Sequence, residues 1–277
     1  MDIYYEITIR STDEILLALL TAFDFESFEE REDCIIGYMN EHSFNEAVWE
    51  EIKEVAAPFA QDIALQKVMP QNWNEIWEAS FQPVIVDDFC VVRADFHPKM
   101  EGIMFDLLIQ PKMAFGTGHH ATTYMMMASM RALDFRRKRV FDFGCGTGIL
   151  AVLASKMGAG EVIAIDIEQE SYLNTLENAL KNDVHNIQAL CSDLTDLPTG
   201  EPFDIVLANI NRNILLKYSS ELTNLVNHDG YLLWSGVLSE DCQQVIEVFE
   251  ESGFSLEQLL QKDGWSCGKM KKTGIST

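Results

Sequence analysis

Apolar and polar residues alternate at the start of the chain. Tyr5, Ile7 and Ile9 fall on one face of a predicted strand over Ile3–Ile9. The period then lengthens. Ser11 and Glu14 form a capping-box pattern ahead of a helix with the apolar stripe Ile15, Leu16, Leu19, Leu20 and Phe23. A hairpin through Cys34–Tyr38 follows, then a helix capped by Asn45 that carries Val48, Ile52 and Val55. A strand over Ile63–Val68 ends at Pro70. The order strand, helix, two strands, helix, strand predicts a small ferredoxin-like α+β domain. Trp73, Trp77 and Phe81 recur at four-residue spacing, one face of a linker helix.

From Val84 the pattern changes. Val84–Val86 and Cys90–Ala94 predict a hairpin turned at Asp87-Asp88, and Ile103–Gln110 a further strand. A helix is expected from about Thr122. Strands are then predicted at Val140–Phe143, Val162–Ile165, Ile187–Leu190, Ile205–Ala208 and Tyr231–Trp234, with helices between several of them. Leu173, Leu176 and Leu180 mark the expected buried face of one such helix. Leu256–Leu260 and Trp265–Met270, joined by Lys262-Asp263-Gly264, close the chain as a hairpin. Alternation of this kind specifies a mostly parallel sheet covered on both sides.

Charge narrows the partners. Across 277 residues the formal net charge is −24. The basic clusters, Arg136–Arg139 and Lys269–Lys272, are small. Such a surface repels phosphate backbones and attracts cations, so no direct nucleic-acid binding is expected. Six scattered cysteines without a Cys-x-x-Cys pair fit a reducing compartment, and no structural metal is expected. No apolar run is long enough to span a bilayer, and the first residues lack the pattern of a signal peptide. A cytoplasmic monomer without a membrane segment is the expectation.

The sharpest local chemistry is Val140-Phe141-Asp142-Phe143-Gly144-Cys145-Gly146-Thr147-Gly148-Ile149-Leu150. An apolar strand runs into a glycine turn that opens a helix, which lets a ligand approach bare backbone. Asp166 ends the next strand, 22 residues after Gly144, where its carboxylate can accept from two ribose hydroxyls. A dinucleotide site would want a third glycine at 149, where this chain has Ile149. Asp142 suits a cationic ligand better than a pyrophosphate. Asp193, after the third strand, either meets an adenine or caps the next turn.

Pro111-Lys112-Met113-Ala114-Phe115-Gly116-Thr117-Gly118-His119-His120-Ala121-Thr122-Thr123 resembles the signature segment of ribosomal protein L-eleven methyltransferases. Asp142–Ala151, Ile165-Asp166-Ile167, Val206-Leu207-Ala208-Asn209-Ile210 and the upstream Trp73, Trp77 and Phe81 match in order and spacing. The likeness covers most of residues 70–240 and, more weakly, both ends. It implies an α/β fold: a Rossmann-like class I methyltransferase domain with a mostly parallel seven-stranded sheet at 84–277. A linker helix at 70–83 and a substrate-recognition domain at 1–69 would precede it. The implied activity is methyl transfer from S-adenosylmethionine to lysine ε-amines and the N-terminal α-amine of ribosomal protein L-eleven.

By position the cofactor residues would be Thr123, Gly144, Asp166 and Asn209, alongside Asp142, Gly146, Gly148 and Asp193 from the reading above. Phe115, Gly116, Thr117 and Gly118 would lie over the methionine end. Asn209 is also the candidate catalytic residue, orienting the amine; a purely cofactor-contacting or structural Asn is the alternative. His119 and Ala121 replace the family's usual Thr and Pro, and Asn211-Arg212-Asn213 is more polar than its usual Leu-Ala run. These departures bear on substrate scope. A class I methyltransferase for another protein, a small molecule or RNA is the competing reading. A non-catalytic adapter is disfavoured by the intact glycines and Asp166.

Overall fold

The computed structural model describes residues 4–60, 62–68, 82–110, 118–197 and 200–274. The chain divides into two compact units, Met1–Phe81 and Gln82–Thr277. The predicted linker helix with Trp73, Trp77 and Phe81 lies outside the described residues.

In the first unit, β1 (Tyr4–Ile9), β2 (Phe25–Glu30), β3 (Ile35–Asn40) and β4 (Ile63–Val68) form an antiparallel sheet in the order β2-β3-β1-β4. Helices α1 (Glu14–Leu20) and α2 (Glu46–Ala56) connect them. The order is ferredoxin-like, as the periodicity predicts. Asn45 caps α2 by accepting from Val48 N–H at 3.1 Å. Two details of α1 differ from the expectation. Asp13, not Ser11, caps it, accepting from Ile15 N–H at 2.8 Å, while the Ser11 hydroxyl accepts from Asp13 N–H. Starting at Glu14 turns Leu16 and Leu20 into the core, so Ile15 and Leu19 face water.

The second unit contains a seven-stranded sheet in the order β10-β9-β8-β11-β12-β14-β13. Strands β8 (Arg139–Phe143), β9 (Glu161–Asp166), β10 (Ile187–Cys191), β11 (Phe203–Asn209) and β12 (Val226–Leu238) pair in parallel. β13 (Phe254–Lys262) and β14 (Trp265–Lys272) close it antiparallel. β5 (Val84–Val86), β6 (Cys90–Arg93) and β7 (Phe105–Leu108) make a separate small sheet; β5 and β6 form the predicted hairpin, and β7 runs parallel to β6.

The parallel strands read as nearly continuous apolar runs because both faces are covered. Val140, Val162, Ala164, Ile205, Leu207 and Leu233 face α3 (Ala121–Met130) and α4 (Ile149–Lys156). Phe141, Phe143, Ile165, Val206, Leu232 and Trp234 face α6 (Arg212–Lys217), α7 (Ser219–Leu225) and α8 (Cys242–Glu251). Each large apolar side chain so buried stabilises the fold by about 1.5–3 kcal/mol. Trp234 is fully buried at the centre, its ring lying on Gly268. A Cβ at 268 would stand 2.3 Å from the indole Cε2, so only glycine fits. The indole Nε1 finds no hydrogen-bond partner among the described residues.

Helix α5 (Gln169–Lys181) departs most from its predicted face. Leu173 and Leu180 are exposed, and Asn174, Thr175, Asn178 and Ala179 are buried instead. The buried amides bind loop and strand backbone. Asn178 Nδ2 donates to Thr147 O at 2.8 Å, and its Oδ1 accepts from Gln110 N–H at 2.9 Å. Just past the helix, Asn182 bonds both backbone groups of Leu108 in β7. No helix among the described residues is long and apolar enough to cross a membrane.

Candidate functional site

The glycine turn lies at the carboxyl end of the parallel sheet, between β8 and α4, where open α/β sheets bind ligands. Gly144, Gly146 and Gly148 all adopt positive φ, which an L side chain would strain. Gly144 and Cys145 donate their N–H groups to Ile165 O at 2.9 and 3.0 Å. Gly146 N–H donates to Asp166 Oδ2 at 2.9 Å, and Glu168 N–H to Asp166 Oδ1 at 3.0 Å. From below, the Thr175 hydroxyl donates to Gly146 O at 3.1 Å. Strand β9 and helix α5 thus hold the loop on two sides.

A cavity of 620 Å³ opens beside the loop, lined among others by Gly144, Gly146, Asp166, Ile167, Asp193 and Tyr218. That volume suits a nucleoside-sized ligand. Among the described residues, four carboxylates line it, on Asp166, Glu168, Glu170 and Asp193, against one ammonium, on Lys217. The balance favours a cation. The Tyr218 hydroxyl donates to Asp193 Oδ2 at 3.0 Å, and Lys217 Nζ donates to the same hydroxyl at 2.8 Å. The Tyr218 bond holds the Asp193 carboxyl below the usual carboxylate range. Bare glycine backbone, a carboxylate at the end of β9, apolar walls and acidic charge together fit S-adenosylmethionine, which carries a sulfonium, an ammonium and two ribose hydroxyls.

The second element is Asn209, at the carboxyl end of β11. Its Nδ2 donates to Thr123 Oγ1 at 3.2 Å; Thr123 is fully buried in the first turn of α3. Asn209 Oδ1 is buried, and among the described residues nothing donates to it. A buried acceptor without a donor costs about 1–3 kcal/mol, so this oxygen gains from any donor that reaches it.

The structure brings Gly144, Gly146, Asp166 and Asp193 to one cavity and joins Thr123 to Asn209. Asp193 both lines the cavity and caps the short 3-10 turn Leu194–Asp196. Gly148 caps α4 from behind the loop. Gly118 is buried at φ +91° against Val92. Phe115, Gly116 and Thr117 lie outside the described residues.

Asp142 corrects an expectation. It does not line the cavity but is almost fully buried, its Oδ2 accepting from Ala151 N–H of α4 at 3.1 Å and its Oδ1 without a partner among the described residues. Burial pushes this carboxyl up to about 7. It braces a helix start and is not placed to meet a cationic ligand. The sequence reading also missed Ile167, Ile210, Ile214, Lys217 and Tyr218 as cavity walls. Ile167 carried a signal: it directly follows Asp166, and at 68% exposed it is a large apolar side chain left open to solvent at the ligand site. The α6 residues look like ordinary core periodicity.

Comparison with known proteins bears on this geometry. The family model for ribosomal protein L11 methyltransferase (PrmA) matches residues 9–273. A ribosomal protein L11 methyltransferase of Porphyromonas gingivalis is 40% identical over 268 residues, covering 95% of this chain and 91% of its own. That of Bacteroides fragilis is 34% identical over 275 residues, covering 96% and 98%. Among solved structures, a ribosomal protein L11 methylase from Lactobacillus delbrueckii subsp. bulgaricus superposes with a TM-score of 0.63 at 27% identity. The match covers 70% of this chain and 100% of that one.

Proposed function

Since this chain belongs to the ribosomal protein L11 methyltransferase family and is an S-adenosylmethionine-dependent methyltransferase, we propose that it methylates amine nitrogens of ribosomal protein L11. The amines are lysine ε-amino groups and the N-terminal α-amino group. The observation that supports the amine reading is Asn209 Oδ1, a buried acceptor at the carboxyl end of the sheet to which no described residue donates. Thr123, by accepting from Nδ2, fixes which way that amide faces.

S-adenosylmethionine supplies an electrophilic methyl group on a sulfonium whose departure as a neutral thioether needs no acid. Gly144 and Gly146 would hold it through bare backbone, Asp166 through its ribose hydroxyls, and Asp193 with Tyr218 at the base end. The chain's task is to present the amine uncharged. A lysine ammonium, ordinarily losing its proton near 10.4, must shed it before the nitrogen lone pair is free. Asn209 Oδ1 can accept one remaining N–H and so aim the lone pair, while burial around it disfavours the ammonium form. The acidic surface supports the approach of a cationic protein.

We assign substrate recognition to residues 1–69, linked through 70–83 to the catalytic part at 84–277. The cavity, Asp166 and Asn209 all belong to the last segment. Scattered free thiols and acidic charge support a cytoplasmic monomer that makes no direct contact with nucleic acid.

The test is transfer of labelled methyl groups to purified ribosomal proteins and, separately, to ribosomal RNA. Label is expected on ribosomal protein L11 alone. Label confined to RNA or to another protein overturns the substrate. Asn209→Ala should depress turnover far more than affinity for S-adenosylhomocysteine; equal losses would make it a cofactor residue.

A further inference from the structure

Ile210 sits between two glycines, and the two contacts differ in kind. On the cofactor loop, a Cβ at Gly144 would stand 2.5 Å from Ile210 Cγ2, a side-chain methyl. In β12, a Cβ at Gly236 would stand 2.3 Å from Ile210 O, 2.7 Å from its C and 3.1 Å from its N, all backbone. Both glycines adopt positive φ, +73° and +85°. Gly236 lies at a bulge, where the register of β12 against β14 shifts between Ser235 and Val237. Ile210 N–H also donates to Ser235 O at 3.2 Å. The backbone of Ile210 is therefore pinned to β12 while its side chain rests on the glycine loop.

Ile210 lines the cavity and directly follows Asn209. Methyl transfer is sensitive to placement, because a misplacement of about 1 Å can cost a hundredfold in rate. We propose that Ile210 is a positioning residue that fixes the spacing between the cofactor loop and Asn209, and that positions 144 and 236 are glycine in order to admit it. The Asn209 half of this inference rests on the role proposed for that residue above. The Gly144 half rests on contact geometry alone.

The asymmetry of the two contacts provides the test. Gly144→Ala should weaken S-adenosylhomocysteine binding about tenfold or more, and adding Ile210→Ala should recover most of that loss, because the obstructing methyl is gone. Ile210→Leu, which moves the branch off Cβ while keeping the volume, should rescue Gly144→Ala in the same way. Gly236→Ala should keep affinity within about threefold of the parent yet slow single-turnover methylation on the order of a hundredfold. Truncating Ile210 should not restore it, since the conflict is with backbone. The φ strain of alanine is common to both backgrounds and cancels in the cycle.

Failure of either Ile210 variant to rescue Gly144→Ala overturns the proposal, as does equal rescue at 236. If Gly236→Ala does not fold, the Gly144 and Ile210 pair decides by binding alone. If Asn209→Ala leaves turnover unchanged, the amine assignment falls, and the rescue read in binding still judges the Ile210 seat.

Discussion

Helix α4 buries Ile149, Leu150, Ala151, Val152, Leu153 and Ala154, six successive residues without a polar side chain. Helix α5, on the other flank of the glycine loop, buries Asn174, Thr175, Asn178 and Ala179. The first is held by apolar burial, with a buried polar tie to Asp142 of β8. The second is held by amides and a hydroxyl that answer the backbone of the loop and of the segment after β7. A glycine turn shaped for a ligand leaves carbonyls and N–H groups that its own strand and helix cannot satisfy. Helix α5 supplies donors for the carbonyls of Gly146 and Thr147, and β9 supplies acceptors for the N–H groups of Gly144, Cys145 and Gly146. The contrast teaches that α4 anchors the loop in the core, while α5 sets its shape.

The strongest way to break this contrast is to make α5 resemble α4. Asn178→Leu removes the bonds to Thr147 O and Gln110 N–H, two hydrogen bonds to backbone at about 1–3 kcal/mol each, so destabilisation of roughly 2–6 kcal/mol is expected in denaturant unfolding. Affinity for S-adenosylhomocysteine should fall with it. Leu153→Ala in α4 should cost a comparable amount, about 2–5 kcal/mol, yet leave the affinity of the folded protein unchanged. If both variants bind S-adenosylhomocysteine like the parent, α5 is packing and nothing more.

The next effect belongs to the tie between Asp142 and α4. Unfolded, the Asp142 carboxyl ionises near 3.8; folded, burial holds its proton to about 7. Between those values the unfolded chain has lost a proton that the folded chain keeps. This group's contribution is therefore fully present below pH 3.8 and lost as pH rises to about 7, a change of roughly 4 kcal/mol. Asp142→Asn removes that slope. The melting temperature of the variant should climb relative to the parent between pH 5 and about 8, and a pH-independent difference would show the carboxyl ionised in the fold.

The smallest effect sharpens the α5 side. Thr175→Val removes the hydroxyl that donates to Gly146 O. About 0.5–1.5 kcal/mol of stability should be lost, with a drop of a few-fold in S-adenosylhomocysteine affinity by calorimetry. Unchanged affinity would mean that Gly146 keeps its place without this support.

How much of this was legible in the sequence follows from the same physics. The parallel strands were readable because burial on both faces makes them plainly apolar, and the glycine turn with Asp166 because Ile149 stands where a dinucleotide fingerprint wants glycine. The buried face of α5 was not. Periodicity counts apolar residues as inward, and Leu173 and Leu180 point out because the inward positions were taken by amides serving a loop. Asp142 misled for a related reason: an acid beside a glycine turn can face a ligand or a helix N-terminus, and only the backbone direction decides. Tyr218 and Ile214 were hidden because residues walling a cavity share the helical spacing of residues filling a core. On α1, a start two residues later than the capping box suggested was enough to turn Ile15 outward.

Trp234 has a practical consequence. With no exposure and no acceptor for its indole N–H among the described residues, the ring sits buried against Gly268 in the large sheet. Its indole proton can trade with deuterium only when β12 and β14 part, which is an opening of the sheet rather than a local fraying. The resonance of that one proton is therefore a clock for global unfolding of the larger unit. Its lifetime in heavy water, read with and without S-adenosylhomocysteine, converts ligand binding into a change of opening free energy without adding a label to the protein.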